Sequence, residues 1–206
     1  MASGQTSHAP HNQPGRPREF DLDTAVDDAI GVFRERGYHA TSISDLGAAT
    51  GLTTGSLYKA FGDKRGVFLA AFDRYVSLRH AALRDVLDSQ PNGREKVRAM
   101  LRFYAEASHG DEGCRGCLVV SSAMVLATLD AEMAARVEAA MRHAESLLRR
   151  LIRAGQGDGS IASDISVSAT ARALLAVLQG LRVIGKSGRS RRDMLAVADR
   201  ALLLLG

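Results

Sequence analysis

The stretch that decides the fold runs from Ser42 to Lys64, S-I-S-D-L-G-A-A-T-G-L-T-T-G-S-L-Y-K-A-F-G-D-K. Ser42 has the chemistry of a helix N-cap, with Asp45 at the third helical position, and Gly51 stops that helix after about two turns. Thr53 caps a second short helix, T-G-S-L-Y-K-A-F, which Gly62 closes, and Asp63 caps a longer one. Two short helices, residues 42–50 and 54–60, joined by a glycine-containing turn, predict a helix-turn-helix. In that motif the second helix lies in the major groove and its N-terminal residues meet the base edges. Here those residues are Thr53, Thr54, Gly55 and Ser56, all small. A glycine inside an exposed helix costs about 1 kcal/mol relative to alanine, and close approach to a duplex explains why one stands there. Tyr58 and Lys59 extend from the same helix toward phosphate or base edges. Lys64 suits a phosphate beside the free N–H groups of the next helix. Two ordinary short helices of a bundle, with the threonines acting only as caps, give the same spacing.

Working outward, Leu22, Ala25, Val26, Ala29, Ile30 and Phe33 recur at steps of three and four and form a helix that Gly37 ends. The helix after Asp63 carries Phe68, Phe72, Tyr75, Val76, Leu83, Val86 and Leu87 to the S-Q-P-N-G break at 89–93. Residues 94–108 and 117–129 give two more helices. Asp130 caps the next, with a stripe of Met133, Val137, Ala140, Met141, Ala144, Leu148, Leu151 and Ile152 that leads to a loop at 155–160. Residues 167–184 and 191–205 are the last two. No segment shows period-two alternation, so the chain is predicted to be all-α, with about nine helices. Residues 167–184 are apolar almost all round, and such a helix must be covered on every side. A second copy of the chain, meeting the first through residues about 167–205, supplies the missing cover.

Composition narrows the class. The 206 residues are 46% apolar, enough to bury a sizeable core. Lys and Arg exceed Asp and Glu by 27 to 23, a mild excess that permits nucleic-acid binding without arguing for it. The first fifteen residues lack the apolar core of a signal peptide, and no apolar run is long enough to span a membrane. The expected compartment is the cytoplasm, where a purely structural disulfide is a poor expectation for the two cysteines. In P-G-R-P-R-E-F, Arg16 and Arg18 flank Pro17, which reads either as an extended basic arm able to enter a minor groove or as a solvated tail.

Two patterns mislead. G-L-R-V-I-G-K-S, residues 180–187, has the letters of a phosphate-binding loop, but an apolar helix precedes it where a strand is needed. It reads as a helix end, with Gly185 near the C-cap and Lys186 by the negative end of the dipole. The basic run 185–193 reads as a solvated loop between helices. No Ser/His/Asp grouping and no H-E-x-x-H is present, and the six histidines are scattered. Neither an enzyme nor a bound cofactor is expected.

Residues 20–76 resemble the N-terminal domain of the TetR family of transcriptional regulators. The marks are the F…G-Y…T-S exit from the first helix, D-L-G-A-A-T-G-L-T-T-G-S-L-Y-K-A-F across the helix-turn-helix, and G-D-K opening the fourth helix. The resemblance implies DNA contacts from Thr41, Ser42, Thr53, Thr54, Ser56, Tyr58, Lys59 and Lys64, and a homodimer on a near-palindromic operator. It further implies an effector pocket within helices five to seven and pairing through the last two helices. The chain then divides into an arm at 1–19, a DNA-binding domain at 20–66, and a sensing and dimerisation domain at 67–206. The expected function is a repressor released by a small molecule or by thiol modification. A helical thiol- or metal-binding sensor without sequence-specific DNA binding is the alternative.

Both cysteines, Cys114 and Cys117, lie in H-G-D-E-G-C-R-G-C-L-V-V-S-S-A-M-V-L, residues 109–126, at the expected start of a helix beside Arg115. Helix N-termini stabilise thiolate. The G-C-L segment is similar to one in some TetR subgroups, certain of which respond to electrophiles or oxidants. Three readings stand: packing, a thiol switch, or a metal site completed by His109, Asp111 or Glu112. A non-covalent pocket would draw on Phe103, Tyr104, Ser121, Met124, Met141 and Leu178, residues whose helical spacing equally suits a core.

Overall fold

Cap chemistry places the helix boundaries where the sequence predicts them. The Ser42 hydroxyl accepts from the Asp45 N–H at 3.0 Å while Asp45 Oδ2 accepts from the Ser42 N–H at 2.8 Å, closing a capping box. Gly51 ends that helix at φ 67°, in the left-handed region that favours glycine. Thr53 accepts from Ser56 N–H at 3.1 Å and Asp63 from Gly66 N–H at 2.7 Å. Asn92, Asp130, Ser166 and Ser190 cap the later helices in the same way.

The computed structural model describes residues 18–125 and 130–206, with side chains from Leu22 onward. Its helices are α1 (Arg18–Ala40), α2 (Ile43–Thr50), α3 (Thr54–Phe61), α4 (Lys64–Asp88), α5 (Gly93–Glu106), α6 (Gly110–Arg115), α7 (Leu118–Val125), α8 (Ala131–Gly157), α9 (Val167–Gly185) and α10 (Arg191–Ala201), followed by a 3₁₀ turn at Leu202–Leu205. There is no strand among the described residues. The all-α expectation holds, with α6 as an unforeseen element.

Three local differences have physical causes. Gly37 does break α1, at φ 78° and ψ 170°, but helical turn geometry resumes as far as Ala40. At the other end α1 begins at Arg18, which corrects the expectation of an extended arm there. Proline fixes φ near the helical value and suits a helix start. Arg16 lies outside the described residues, as does 126–129, the tail of the helix expected over 117–129. α8 runs on through Gly155 to Gly157, into the predicted loop, because Gly155 is where α8 touches the start of α5. A Cβ on Gly93 would fall on the backbone N and Cα of Gly155.

That contact gives a first expectation. Gly93→Ala forces two backbones apart and should lower the thermal midpoint followed by circular dichroism. Gly157→Ala, whose Cβ would meet nothing within 4 Å, should not. Equal midpoints for the two variants would mean that the crossing is not tight in solution.

Two apolar cores sit end to end on α4. Val67, Phe68, Phe72 and Tyr75 join α1, α2 and α3 to Leu118, Met133 and Val137. Leu83 and Leu87 join α5, α8, α9 and α10. Arg65, in the first turn of α4, adds a bidentate grip on Asp130 at 2.5 and 2.9 Å and reaches Glu132 at 2.7 Å. α4 is therefore the beam between the helix-turn-helix and the rest. The buried stripe of α9 is Ala171, Leu174, Leu178, Leu181 and Arg182. Val183 and Ile184 on its other side are exposed, as are Val197 of α10 and Leu203 and Leu204 after it. The single chain leaves this apolar face uncovered.

Candidate DNA-reading face and sensing cavity

Leu57 is the one fully buried side chain of α3 and anchors it to the core, while Thr53, Thr54, Gly55, Ser56, Tyr58 and Lys59 are all exposed around it. The helix thus turns its small N-terminal residues and two longer polar ones outward together. A Cβ on Gly55 would have only Thr53 Oγ1, at 3.9 Å, for company. Ser42 is exposed as well.

Two expected DNA contacts turn out to be occupied inside the protein. Thr41 is 1% exposed and its hydroxyl donates to Gly37 O at 2.7 Å, so its side chain locks the kink in α1 and does not face a duplex. Lys64 Nζ donates to Tyr38 O at 3.0 Å and Thr41 O at 2.9 Å, and lies 4.4 Å from the Tyr38 ring centroid. An ammonium has three N–H groups, so Lys64 has at most one left for a phosphate. Its first task is to satisfy carbonyls that the kink at Gly37 frees. Arg18 starts α1, and its side chain is outside the described set.

The second candidate is a cavity of about 40 Å³ lined by Tyr75, Arg79 and His80 of α4, Tyr104 of α5, Cys117, Val119 of α7, Met141 of α8, and Gln179 and Arg182 of α9, among others. It has room for a water or two and is far below the ~300 Å³ at which drug-sized pockets begin. Of the six residues expected to line a pocket, Tyr104 and Met141 line this cavity, together with Cys117. The other four expected lining residues do not. Phe103 is one position round α5 and opens onto a surface groove, with the Arg79 guanidinium 4.2 Å from its ring. Ser121 faces a different cavity under the exit of α1. Met124 is 71% exposed, and Leu178 is sealed in the core. Tyr75, Arg79, His80, Gln179 and Arg182 were missed. Arg182 alone carried a signal, a charge set on the apolar stripe of α9.

The cysteines part company. Cys114 is exposed in the last turn of α6, not at a helix start, and Arg115 reaches toward Glu35 at 3.5 Å. Cys117 is partly buried immediately before α7. Burial pushes its thiol up, but the Arg182 guanidinium, the Val120 N–H and the Tyr75 hydroxyl outweigh that, and the net shift is downward. Burial and the neighbouring Cys117 push the Tyr75 phenol up, so it remains a proton donor. Two of the three donors expected to complete a metal site, His109 and Glu112, are engaged elsewhere, with Glu106 at 3.1 Å and with Arg34 at 2.8 Å. Among the described residues no three His, Cys, Asp or Glu side chains come together to hold an ion.

Between the two candidates lies one shared atom. The carbonyl of Gly116 accepts from Arg34 Nε at 3.0 Å, Arg34 Nη2 at 2.8 Å and Arg182 Nη2 at 3.1 Å. Arg34 belongs to α1 and Arg182 to α9.

Comparison with known proteins agrees with this arrangement. Residues 25–71 match the family described as bacterial regulatory proteins, tetR family, and residues 93–199 match the tetracyclin repressor-like C-terminal domain. The HTH-type transcriptional repressor ComR of Escherichia coli K12 is 28% identical over 193 residues, covering 92% of this chain and 91% of that protein. An uncharacterised HTH-type transcriptional regulator of Bacillus subtilis, YezE, is 32% identical over 161 residues, 78% of this chain and 83% of its own. Among solved structures, a cysteine mutant of the TetR family regulator CifR, complexed with a 26-base-pair operator duplex, is 37% identical with a TM-score of 0.82. That match covers 93% of this chain and 100% of the other.

Proposed function

Since this chain belongs to the TetR family of bacterial regulatory proteins, and is therefore a DNA-binding transcriptional regulator, we propose that it is a cytoplasmic homodimeric repressor whose grip on its operator is broken by modification of Cys117. The observation that carries the DNA half is the reading face of α3, six small or polar residues exposed around the single anchor Leu57. Residues 20–66 do the binding, with Ser42, Thr53, Thr54, Gly55, Ser56, Tyr58 and Lys59 as contacts and Arg16 reaching a neighbouring groove. Residues 67–206 sense and dimerise. Pairing through residues about 167–205 covers the apolar side of α9 and sets two copies of α3 against half-sites about one helical turn apart.

The observation favouring a thiol signal is the size of the cavity beside Cys117. At about 40 Å³ it admits only a small reactive molecule unless helices move. Any effector weakens DNA binding by its preference for the non-binding arrangement and by no more than that.

The test is a gel-shift titration against DNA flanking the protein's own gene, first with reductant, then with a thiol-reactive electrophile. Wild type and Cys114→Ser should bind when reduced and release after treatment, while Cys117→Ser should stay bound. Release of the Cys117→Ser protein, or no release of wild type, would move the signal to a reversible ligand.

A further inference from the structure

Arg182 is 3% exposed, and its hydrogen bonds run to Ala107 O, Ser108 Oγ at 3.3 Å and Gly116 O at 3.1 Å. None of these acceptors is an anion. A guanidinium withdrawn from water without a counter-charge is strongly disfavoured. Among the groups around the cavity, Tyr75, Arg79 and His80 of α4, Tyr104 of α5, and Gln179 and Arg182 of α9, none is a carboxylate, and α8 contributes Ala140, Met141 and Ala144. Cys117 lines the same cavity as Arg182 and Tyr75, directly after the Gly116 carbonyl that Arg182 holds, and is the group placed to supply that negative charge.

The adjoining Gly116 is buried, at φ 83°, with a carbonyl loaded by both guanidiniums. The segment carrying it is seated tightly on α9. A Cβ on Gly185 would strike Ser108 O, and one on Gly113 would come within 2.6 Å of Ser108 C. Arg34 also holds Glu112 through Oε1 at 2.8 Å, Oε2 at 3.1 Å and the backbone O at 3.2 Å. Arg34 is thus a four-point clamp from α1 onto α6 and Gly116, three residues ahead of the Gly37 kink that leads into the helix-turn-helix.

We propose that Arg182 is the counter-ion that activates Cys117, and that the Gly116 carbonyl, shared by Arg182 and Arg34, passes the loss of that charge to α1. The inference rests on the reading of Cys117 as the reactive thiol. With iodoacetamide as the probe, the thiolate attacks the methylene carbon, an S–C bond forms, the C–I bond breaks and iodide leaves with its electron pair. The sulfur changes from an anion to a neutral thioether and no proton moves. Arg182 is left buried without an anion, beside a cavity too small for the added group. It then turns toward water, gives up Gly116 O, and the Arg34 clamp on the same carbonyl loosens.

Two measurements on the full-length dimer in a Cys114→Ser background separate the roles. One is the rate of iodoacetamide alkylation of Cys117 against pH, and the other is operator affinity before and after alkylation. Arg182→Gln should raise the pH midpoint of alkylation by about one unit, a roughly tenfold slower reaction below both midpoints. Arg182→Lys, which keeps the charge, should restore most of the rate. Arg34→Gln should alkylate with the pH profile of the background protein yet keep its own operator affinity after alkylation. If that variant does not fold, Arg34→Lys, which cannot hold Glu112 and Gly116 together, is read in the same way. An unshifted profile in Arg182→Gln overturns the counter-ion, and full release by alkylated Arg34→Gln overturns the relay. A background protein that keeps its operator when fully alkylated overturns the thiol reading, and the relay with it.

Discussion

Val183→Glu is expected to split the dimer and to cost operator affinity on the order of a hundredfold or more. Val183 is 47% exposed on α9, as is its neighbour Ile184, and the last two helical segments expose Val197 of α10 and Leu203, the latter 63% exposed. Solvent-facing apolar residues of this kind on one chain form an isologous interface between two, so each substitution enters the contact twice. Two carboxylates would be drawn out of water opposite apolar partners, and a charge buried without a partner is strongly disfavoured. The DNA consequence follows from linkage through the dimer. When one α3 is docked, the second is held near its half-site at an effective concentration of about millimolar, and a monomer forfeits that advantage. Light scattering after size exclusion gives the mass and a gel shift gives the affinity. Val183→Ala should stay dimeric and bind nearly as wild type. A Val183→Glu protein that remains dimeric at micromolar concentration would show that this face of α9 does not pair.

Local chemistry explains what the sequence made legible. Ser42 with Asp45, Thr53 with Ser56 and Asp63 with Gly66 are interactions within three residues, and a cap is read from residue types at fixed offsets. The helix-turn-helix is built almost wholly from such signals, which is why its boundaries were predictable to a residue or two. α6 was not, because nothing local sustains it. It is six residues long with no side-chain cap, and it is held by Glu112 on Arg34 and by close glycine packing against Ser108. The cavity was half legible for a related reason. Phe103 and Tyr104 are adjacent, and only the rotation of α5 about its axis decides which one meets Cys117. Lys64 was legible as a cation at a helix start. That it first serves the carbonyls of Tyr38 and Thr41 depends on a kink at Gly37 twenty-seven residues earlier. Long-range partners are the part of the fold that residue spacing does not encode.

Gly55→Ala and Gly55→Glu should move stability and operator binding in opposite directions. Gly55 lies inside α3 without a positive φ, and a Cβ there would meet only Thr53 Oγ1 at 3.9 Å. Nothing within the protein requires glycine at this position, and in an exposed helix alanine is favoured by about 1 kcal/mol. Gly55→Ala should therefore raise the thermal midpoint slightly. The requirement lies outside the protein. Gly55 sits between Thr54 and Ser56 on the exposed face of α3, which on the proposed reading brings the helix backbone to the duplex, so that any side chain would widen that gap. A methyl group should weaken operator binding by about tenfold, the equivalent of one or two lost contacts. A carboxylate, facing phosphates in the groove, should abolish binding to every sequence while leaving the fold intact, because the same position is open to solvent in the free protein. Melting curves and gel shifts on the same preparations read both effects at once. If Gly55→Glu held the operator as wild type does, the N-terminal turn of α3 would not be what enters the groove. Lower stability in Gly55→Ala would instead mean that the glycine serves the fold. Only a stable protein that has lost its DNA fits a glycine kept for the duplex.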